Sequence, residues 1–411
     1  MTPDAKQRTW RVTTSALLLL HAALAWADDT DGQDAAFRLH GYATANYFAF
    51  DWDTDPERRN AIDLERLTLY PSWSLDDGIE LEAEIEFEHG GTGATMEFDR
   101  FEEFGEFETE VEKGGEVVLE QLHLRYAPSD WATLKIGRFK LPVGLAATHD
   151  EPSEYFTTTR SQAEAAVIPV NWYENGLQVE LQRGTLARVS AAVVNGLDSS
   201  GFSSARWVAS GYQTRFEQVN ADALALCLAV HLHPRSDLTV SGSLYRGDSA
   251  ANRPKLDLEH DAIVTIKELH AELSTGPVTA RAMYLSGDLS NSDQVTRANR
   301  NLSNNLNVKR TPVGAEARAI VGEVGLHLSG IVPSPSHPLD LFLRHESYDS
   351  MQAVEGLVID VPRWDRTSWT TGINWRALAR TTLKAEYSRR ELGIKERNRE
   401  TTISTGFGVE F

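Results

Sequence analysis

Five glutamates stand at alternate positions, Glu80, Glu82, Glu84, Glu86 and Glu88, with Ile79, Leu81, Ala83, Ile85 and Phe87 between them. Carboxylates so spaced can attract cations and accept hydrogen bonds in concert only if they all face one way. An extended chain does that, because its side chains alternate between two faces; a helix would smear both classes around its surface. Neighbours on such a stripe, about 7 Å apart, repel by roughly 2 kcal/mol at an effective dielectric near 20, so facing cations or water must screen them. The basic residues expected on the same inner side are Arg66, Arg125, Lys135, Arg281, Arg344, Arg376 and Lys384. Arg138 and Lys140 join them only if Gly137 marks a bulge that resets the alternation. Opposed acidic and basic stripes are chemistry for guiding small charged solutes.

Other chemistries lack their residues. There is no Gly-x-Ser-x-Gly elbow, no His-Glu-x-x-His and no phosphate-cradling glycine loop, so no catalytic residue is assigned and no enzyme is expected. A Ser-His-Asp set is defined in space and stays beyond a linear reading. The 12 histidines form no metal signature; His231 and His233 share a strand face, and His231 is placed on the inner side near one rim. The segment 97–112 is dense in Glu and Phe, but without the Asp-x-Asp-x-Asp-Gly spacing it leaves calcium binding, subunit packing and a solvated loop all open. Cys227 is the single cysteine, which rules out an internal disulfide and a cysteine zinc site. No metal or cofactor is expected. The formal net charge of −20 repels nucleic acid and can gather divalent cations.

The elements that position the charges begin with a leader. Lys6, Arg8 and Arg11 precede an apolar run, Ala16 to Ala25, that is too short to span a membrane as a helix. Ala25-Trp26-Ala27 is the small-x-small pattern of a cleavage site, so residues 1–27 are expected to be a signal peptide and 28–411 the exported chain. No later apolar run approaches twenty residues; any membrane crossing must be made by strands.

Period-two alternation returns along the whole chain, as in Leu224-Leu226-Leu228-Val230-Leu232 and Trp369-Thr371-Ile373-Trp375. About sixteen such segments are predicted, at 37–50, 62–75, 79–89, 117–127, 131–141, 171–182, 186–196, 222–232, 237–246, 263–274, 277–287, 316–329, 339–349, 366–377, 380–390 and 401–411. Connections after even-numbered segments are short, such as Asp76-Asp77-Gly78 and Thr275-Gly276; those after odd-numbered ones are long and polar, such as 90–116, 142–170 and 288–315. A transmembrane antiparallel β-barrel with short periplasmic turns and long extracellular loops predicts that sorting, and a soluble sandwich does not. Closure follows, since an open sheet edge in hydrocarbon would leave a row of backbone groups unpaired at several kcal/mol each. About sixteen strands enclose an aqueous lumen. Tyr47, Trp73, Tyr126, Trp131, Trp172, Trp369, Trp375 and Tyr387 fall near strand ends, where interfacial girdles are expected. The last strand ends in Phe411, the kind of terminus that the barrel-assembly machinery of Gram-negative bacteria reads.

Four stretches carry a family resemblance: Phe37-Arg38-Leu39-His40-Gly41-Tyr42, Ile62-Asp63-Leu64-Glu65-Arg66-Leu67-Thr68-Leu69, Gly137-Arg138-Phe139-Lys140-Leu141-Pro142-Val143-Gly144 and Leu383-Lys384-Ala385-Glu386-Tyr387-Ser388. Together they resemble the phosphate-selective porins O and P. That resemblance implies a sixteen-stranded porin of the bacterial outer membrane, trimeric, with a third loop folded inward as a constriction; residues 142–170 occupy the place of that loop. The solutes implied are small and hydrophilic, with anions such as phosphate among them, and the surroundings are outer-membrane lipid and lipopolysaccharide. Phosphate selection needs a ladder of cations facing the lumen. The all-Glu face of the third strand argues for a mixed lumen instead. Two other uses of a barrel scaffold stay open to the sequence: a lipid hydrolase with reactive Ser and His at the bilayer rim, and a receptor or adhesin resting on the long loops.

Overall fold

The computed structural model describes residues 37–91, 95–99, 108–112, 115–213, 218–302, 311–328 and 338–411, the two shortest runs as backbone. The leader 1–27 and the side chains of the acidic segment 97–112 lie outside the described residues. The strands in chain order are β1 (Phe37–Trp52), β2 (Ala61–Asp76), β3 (Ile79–Glu88), β4 (Thr95–Asp99), β5 (Glu108–Glu112) and β6 (Glu116–Ser129). Next come β7 (Ala132–Lys140), β8 (Tyr173–Arg183), β9 (Ala187–Asn195), β10 (Leu224–Arg235), β11 (Leu238–Asp248) and β12 (Ile263–Thr275). The chain closes with β13 (Val278–Leu289), β14 (Glu316–His327), β15 (Leu339–Ala353), β16 (Asp365–Leu378), β17 (Thr381–Leu392) and β18 (Arg399–Glu410).

Sixteen of these form one closed antiparallel barrel, and β4 with β5 makes a separate hairpin in the long connection between β3 and β6. Each barrel strand pairs with its sequence neighbour, and β1 pairs with β18, from Tyr42 opposite Glu410 to Trp52 opposite Glu400. The last residue completes the seam: Phe411 N–H donates to the Gly41 carbonyl at 2.9 Å, and Gly41 N–H donates back at 3.0 Å. No barrel strand is left with an unpaired edge, which is what lets a sheet sit in hydrocarbon.

Alternation sets the two faces. On β10, Leu224, Leu226, Leu228, Val230 and Leu232 are exposed on the outer wall, and Ala225, Cys227 and Ala229 are buried inside. Tyr47, Trp73, Tyr126, Trp131, Trp369, Trp375 and Tyr387 are all exposed large side chains, as a girdle requires. Trp172 is the exception. It is buried, packs against Tyr245 at 4.5 Å between ring centroids, and donates its indole N–H to Glu174 at 2.8 Å. It lies where the third long loop rejoins β8, so its side chain turns into the barrel and not toward lipid.

Candidate functional site

The barrel interior is divided. A continuous buried cluster fills the side bounded by β8–β14, where inward Val194, Ile266, Leu285 and Val321 meet residues of the long loops such as Val167, Ile168, Phe202 and Trp207. An aqueous lumen predicts polar inner faces on these strands, but their halves next to the long loops are apolar. The reason is local: loops that fold inward exclude water there, so small and branched apolar groups satisfy the packing. Loop rings press directly onto wall glycines. A Cβ on Gly287 would lie 2.1 Å from the Trp207 ring, and one on Gly325 would lie 2.1 Å from the Phe156 ring.

Water-sized space is left on the opposite side, along β1–β3 and β15–β18, and the segment between β7 and β8 crosses to reach it. Its far part is tied to the wall at several heights. Thr158 donates from N–H and Oγ1 to Glu386 at 2.8 and 2.7 Å, and Ser161 Oγ donates to Glu346 at 2.6 Å. Lys384 Nζ donates to the carbonyls of Tyr155 and Thr157 at 2.7 and 2.9 Å, while Phe156 stacks on Phe342 at 5.8 Å. Its near part centres on Asp150. That carboxylate accepts from Lys140 Nζ at 2.6 Å, Tyr70 Oη at 3.0 Å and Asn171 Nδ2 at 3.0 Å, and pairs with Arg160. Arg160 in turn donates to Tyr42 Oη at 3.0 Å. Contacts with β1, β2, β7, β15, β16 and β17 by one segment are possible only inside the closed barrel.

Glu164 sits in the same segment, almost wholly buried, with both carboxylate oxygens near Ala146 N–H at 3.1 and 3.2 Å. Burial pushes its carboxyl up to about 8, against the lowering effect of that backbone donor.

Four of the five glutamates of the β3 stripe face an arginine. Glu80 meets Arg38 at 2.6 Å and Arg125 at 3.4 Å; Glu82 meets His123 at 2.9 Å and Arg125 at 3.9 Å. Arg66 bridges Glu86 at 3.1 Å and Glu88 at 3.6 Å. Glu84 is held by hydrogen bonds from Tyr173 Oη at 2.9 Å and Gln121 Nε2. Across the interior, Glu323 joins Arg281 at 3.1 Å to Arg344 at 2.7 Å, and Arg281 also reaches Glu272 at 2.5 Å. Lys135 is half-buried on β7 opposite Arg125. Arg376 is exposed near a short-turn end of the barrel, its N–H donating to the Pro338 carbonyl at 2.9 Å.

Arg138 and Lys140 both turn inward. Gly137 adopts φ +130°, and a Cβ there would stand 2.5 Å from the Leu122 carbonyl oxygen, so only glycine lets the strand pass. The strand register runs unbroken through Gly137; the bulge lies next door, where Glu84 and Ile85 face Gln121 and Leu119 and leave Glu120 between. Arg138 ends fully buried, donating to the carbonyls of Glu120 at 2.9 Å and Gln213 at 3.2 Å, and is sealed from open space. Lys384 is likewise covered by the loop it anchors.

Tyr42, Tyr70, Asp150 and Arg160 meet only because the loop folds in, and for the same reason Glu386 receives Thr158; no linear pattern marks these meetings. Phe48, Phe50 and Trp52 could have been found by extending the β1 alternation inward from Tyr47. Three spaces border the crossing segment, the smallest, about 230 Å³, lying between Arg66, Glu86, Arg160 and Asn171. One of about 860 Å³ is bounded by Phe50, Trp52, Arg58, Thr159, Glu386 and Arg390, and one of about 370 Å³ by Arg38, Tyr70, Glu82 and His123. Among the described residues no group of three His, Cys, Asp or Glu could hold a metal ion.

Known proteins match this architecture far better than this sequence. Over 91% of the chain and 97% of its counterpart, the structure resembles OmpF of Salmonella typhi, solved in complex with daunomycin, with a TM-score of 0.56 and 9% identity. The fold is a porin fold. An anion-selective porin from Comamonas acidovorans matches over 91% of this chain and 99% of its own at TM-score 0.53 and 11% identity. The outer-membrane channel DcaP of Acinetobacter baumannii matches over 91% and 97% at TM-score 0.52 and 10% identity. By sequence, an uncharacterised protein of Aquifex aeolicus (strain VF5) is 29% identical over 209 residues, which span 50% of this chain and 43% of that protein. No family model matches.

Proposed function

We propose that this chain is a porin of the bacterial outer membrane through which small hydrophilic solutes diffuse passively with weak preference between cations and anions. One observation carries it: along the passage wall most carboxylates and guanidinium groups stand in pairs, with Arg58 and Arg59 at the mouth left without a carboxylate partner among the described residues. A strongly anion-selective pore, as in the phosphate-selective porins O and P, needs cations left open to the solute. Here Arg66, Arg281 and Arg344 are engaged by Glu86, Glu272 and Glu323, and Lys384 by backbone carbonyls. Segment 142–170 then serves as the constriction, with Arg66, Glu82, Glu86 and Arg125 among the residues lining the route. Export by the leader 1–27, recognition of the Phe411 end by the barrel-assembly machinery and assembly as a homotrimer in lipopolysaccharide-bearing membrane belong to the same proposal.

Reversal potentials of the purified protein in planar bilayers under a KCl gradient test it. The expected permeability ratio lies within about threefold of unity, and joint Glu82→Gln, Glu84→Gln and Glu86→Gln replacement weakens cation passage. Near-ideal anion selectivity would overturn the mixed lumen, and absence of any conductance would overturn the channel itself.

A further inference from the structure

The upper inner face of β1 is unlike the rest of the passage wall. Phe48, Phe50 and Trp52 stand opposite Ser404, Thr402 and Glu400 of β18, and the Trp52 indole donates to Thr402 Oγ1 at 3.0 Å. Their rings form a continuous ladder, Phe48 stacked on Phe50 at 5.8 Å and Phe50 edge-on to Trp52 at 5.3 Å. From the following loop the Arg58 guanidinium lies 4.6 Å over Phe50 and 4.2 Å over Trp52. These groups border the space of about 860 Å³ and remain partly accessible, so they are not the closed core that aromatic packing alone would build.

We propose that this ladder is a binding rung for small aromatic carboxylates, an inference that rests on the channel function above. A planar ring can pack against the partly accessible rings of the ladder at the separations that such pairs favour, about 4.5–7 Å, alongside the Arg58 and Arg390 guanidinium groups that lie over Phe50 and Trp52. Its carboxylate can take the forked donors of Arg58, with Arg59 beside it. Among the described residues no carboxylate forms an ion pair with either arginine, so their charge is available to a solute. A sugar would also lie on the rings, but its hydroxyls need open donors and acceptors. The large polar groups on the facing wall are already engaged: Glu386 by Thr158, Glu346 by Ser161, Arg344 by Glu323 and Arg390 by Glu400. An aliphatic acid would find the cations without the stack. A weak rung at the mouth raises local solute concentration and still lets the solute leave, which is what facilitated passage requires.

The test is block of KCl current in planar bilayers by benzoate, acetate and methyl glucoside, with equilibrium dialysis of labelled benzoate against the detergent-solubilised protein. Benzoate is expected to interrupt the current at concentrations at least tenfold below acetate. Arg58→Gln and Trp52→Leu should each raise the half-blocking concentration at least fivefold, while Trp52→Phe retains the stack and most of the block. Equal action of acetate and benzoate, or variants that leave the block unchanged, would overturn the rung; so would block by methyl glucoside alone, which would mark a sugar site. KCl current without benzoate block or binding defeats the rung only. Saturable benzoate binding that Arg58→Gln weakens, in a protein without conductance, defeats the channel and supports the rung.

Discussion

Replacing Asp150 by asparagine removes one negative charge from the crossing segment with almost no change in shape. In the native protein that carboxylate holds Lys140 at 2.6 Å and pairs with Arg160, while Tyr70 and Asn171 donate to it at 3.0 Å. Hydrogen bonds to charged groups are worth about 1.5–3 kcal/mol each, and breaking a buried pair by removing one partner costs about 3–5 kcal/mol. The loop should stay in place, because Lys384, Glu386 and Glu346 anchor its other half. What changes is the field. A unit charge about 7 Å from a passing ion in water shifts its energy by roughly 0.6 kcal/mol, in opposite directions for cation and anion. The ratio of anion to cation permeability should therefore rise about sevenfold without screening. At 0.1 M salt, where the Debye length is about 10 Å, the rise falls to about threefold. Reversal potentials for wild type and Asp150→Asn at low and high salt give the ratio directly. An unchanged ratio at low salt, with the barrel intact, would show that this network lies off the conduction path, and the constriction would have to be placed elsewhere.

Three further outcomes follow from the packing and charge of the interior. Glu164, raised to about 8 by burial, holds a proton in the folded protein that an unfolded carboxyl near 4.5 has lost. Its contribution to loop stability is therefore full below about pH 4.5 and is lost as pH rises toward 8; current noise should grow across that window, and Glu164→Gln should abolish the trend. Trp172→Ala should cost about 3–5 kcal/mol in urea unfolding from lipid, as a buried aromatic does, whereas Trp131→Ala on the outer girdle should cost well under half of that. Gly325→Ala drives a methyl into Phe156 and should cost about 1–3 kcal/mol, with larger unit conductance as the loop shifts; a silent change would mean that Phe156 is not seated there.

The barrel was legible in the residues because its causes are local. Side chains alternate with period two on any strand, and lipid admits only a closed sheet, so the outward leucines of β10 and the sorted turns specify strands, faces and closure before any contact is known. The same alternation placed Arg66 and the glutamates of β3 on one side. It said nothing about the content of the lumen. Ala192, Cys227 and Val264 lie on inner strand faces, and only the inward loops turn them into a core. Trp172 reads as a girdle residue because sequence position cannot tell a lipid rim from a loop re-entry. Asp150, Arg160 and Tyr42, far apart in the chain, become one network only when the loop crosses the barrel. Periodicity fixes which way a strand residue points; which residues of a long loop meet which wall is decided by packing and charge pairing at distances that a linear pattern does not encode.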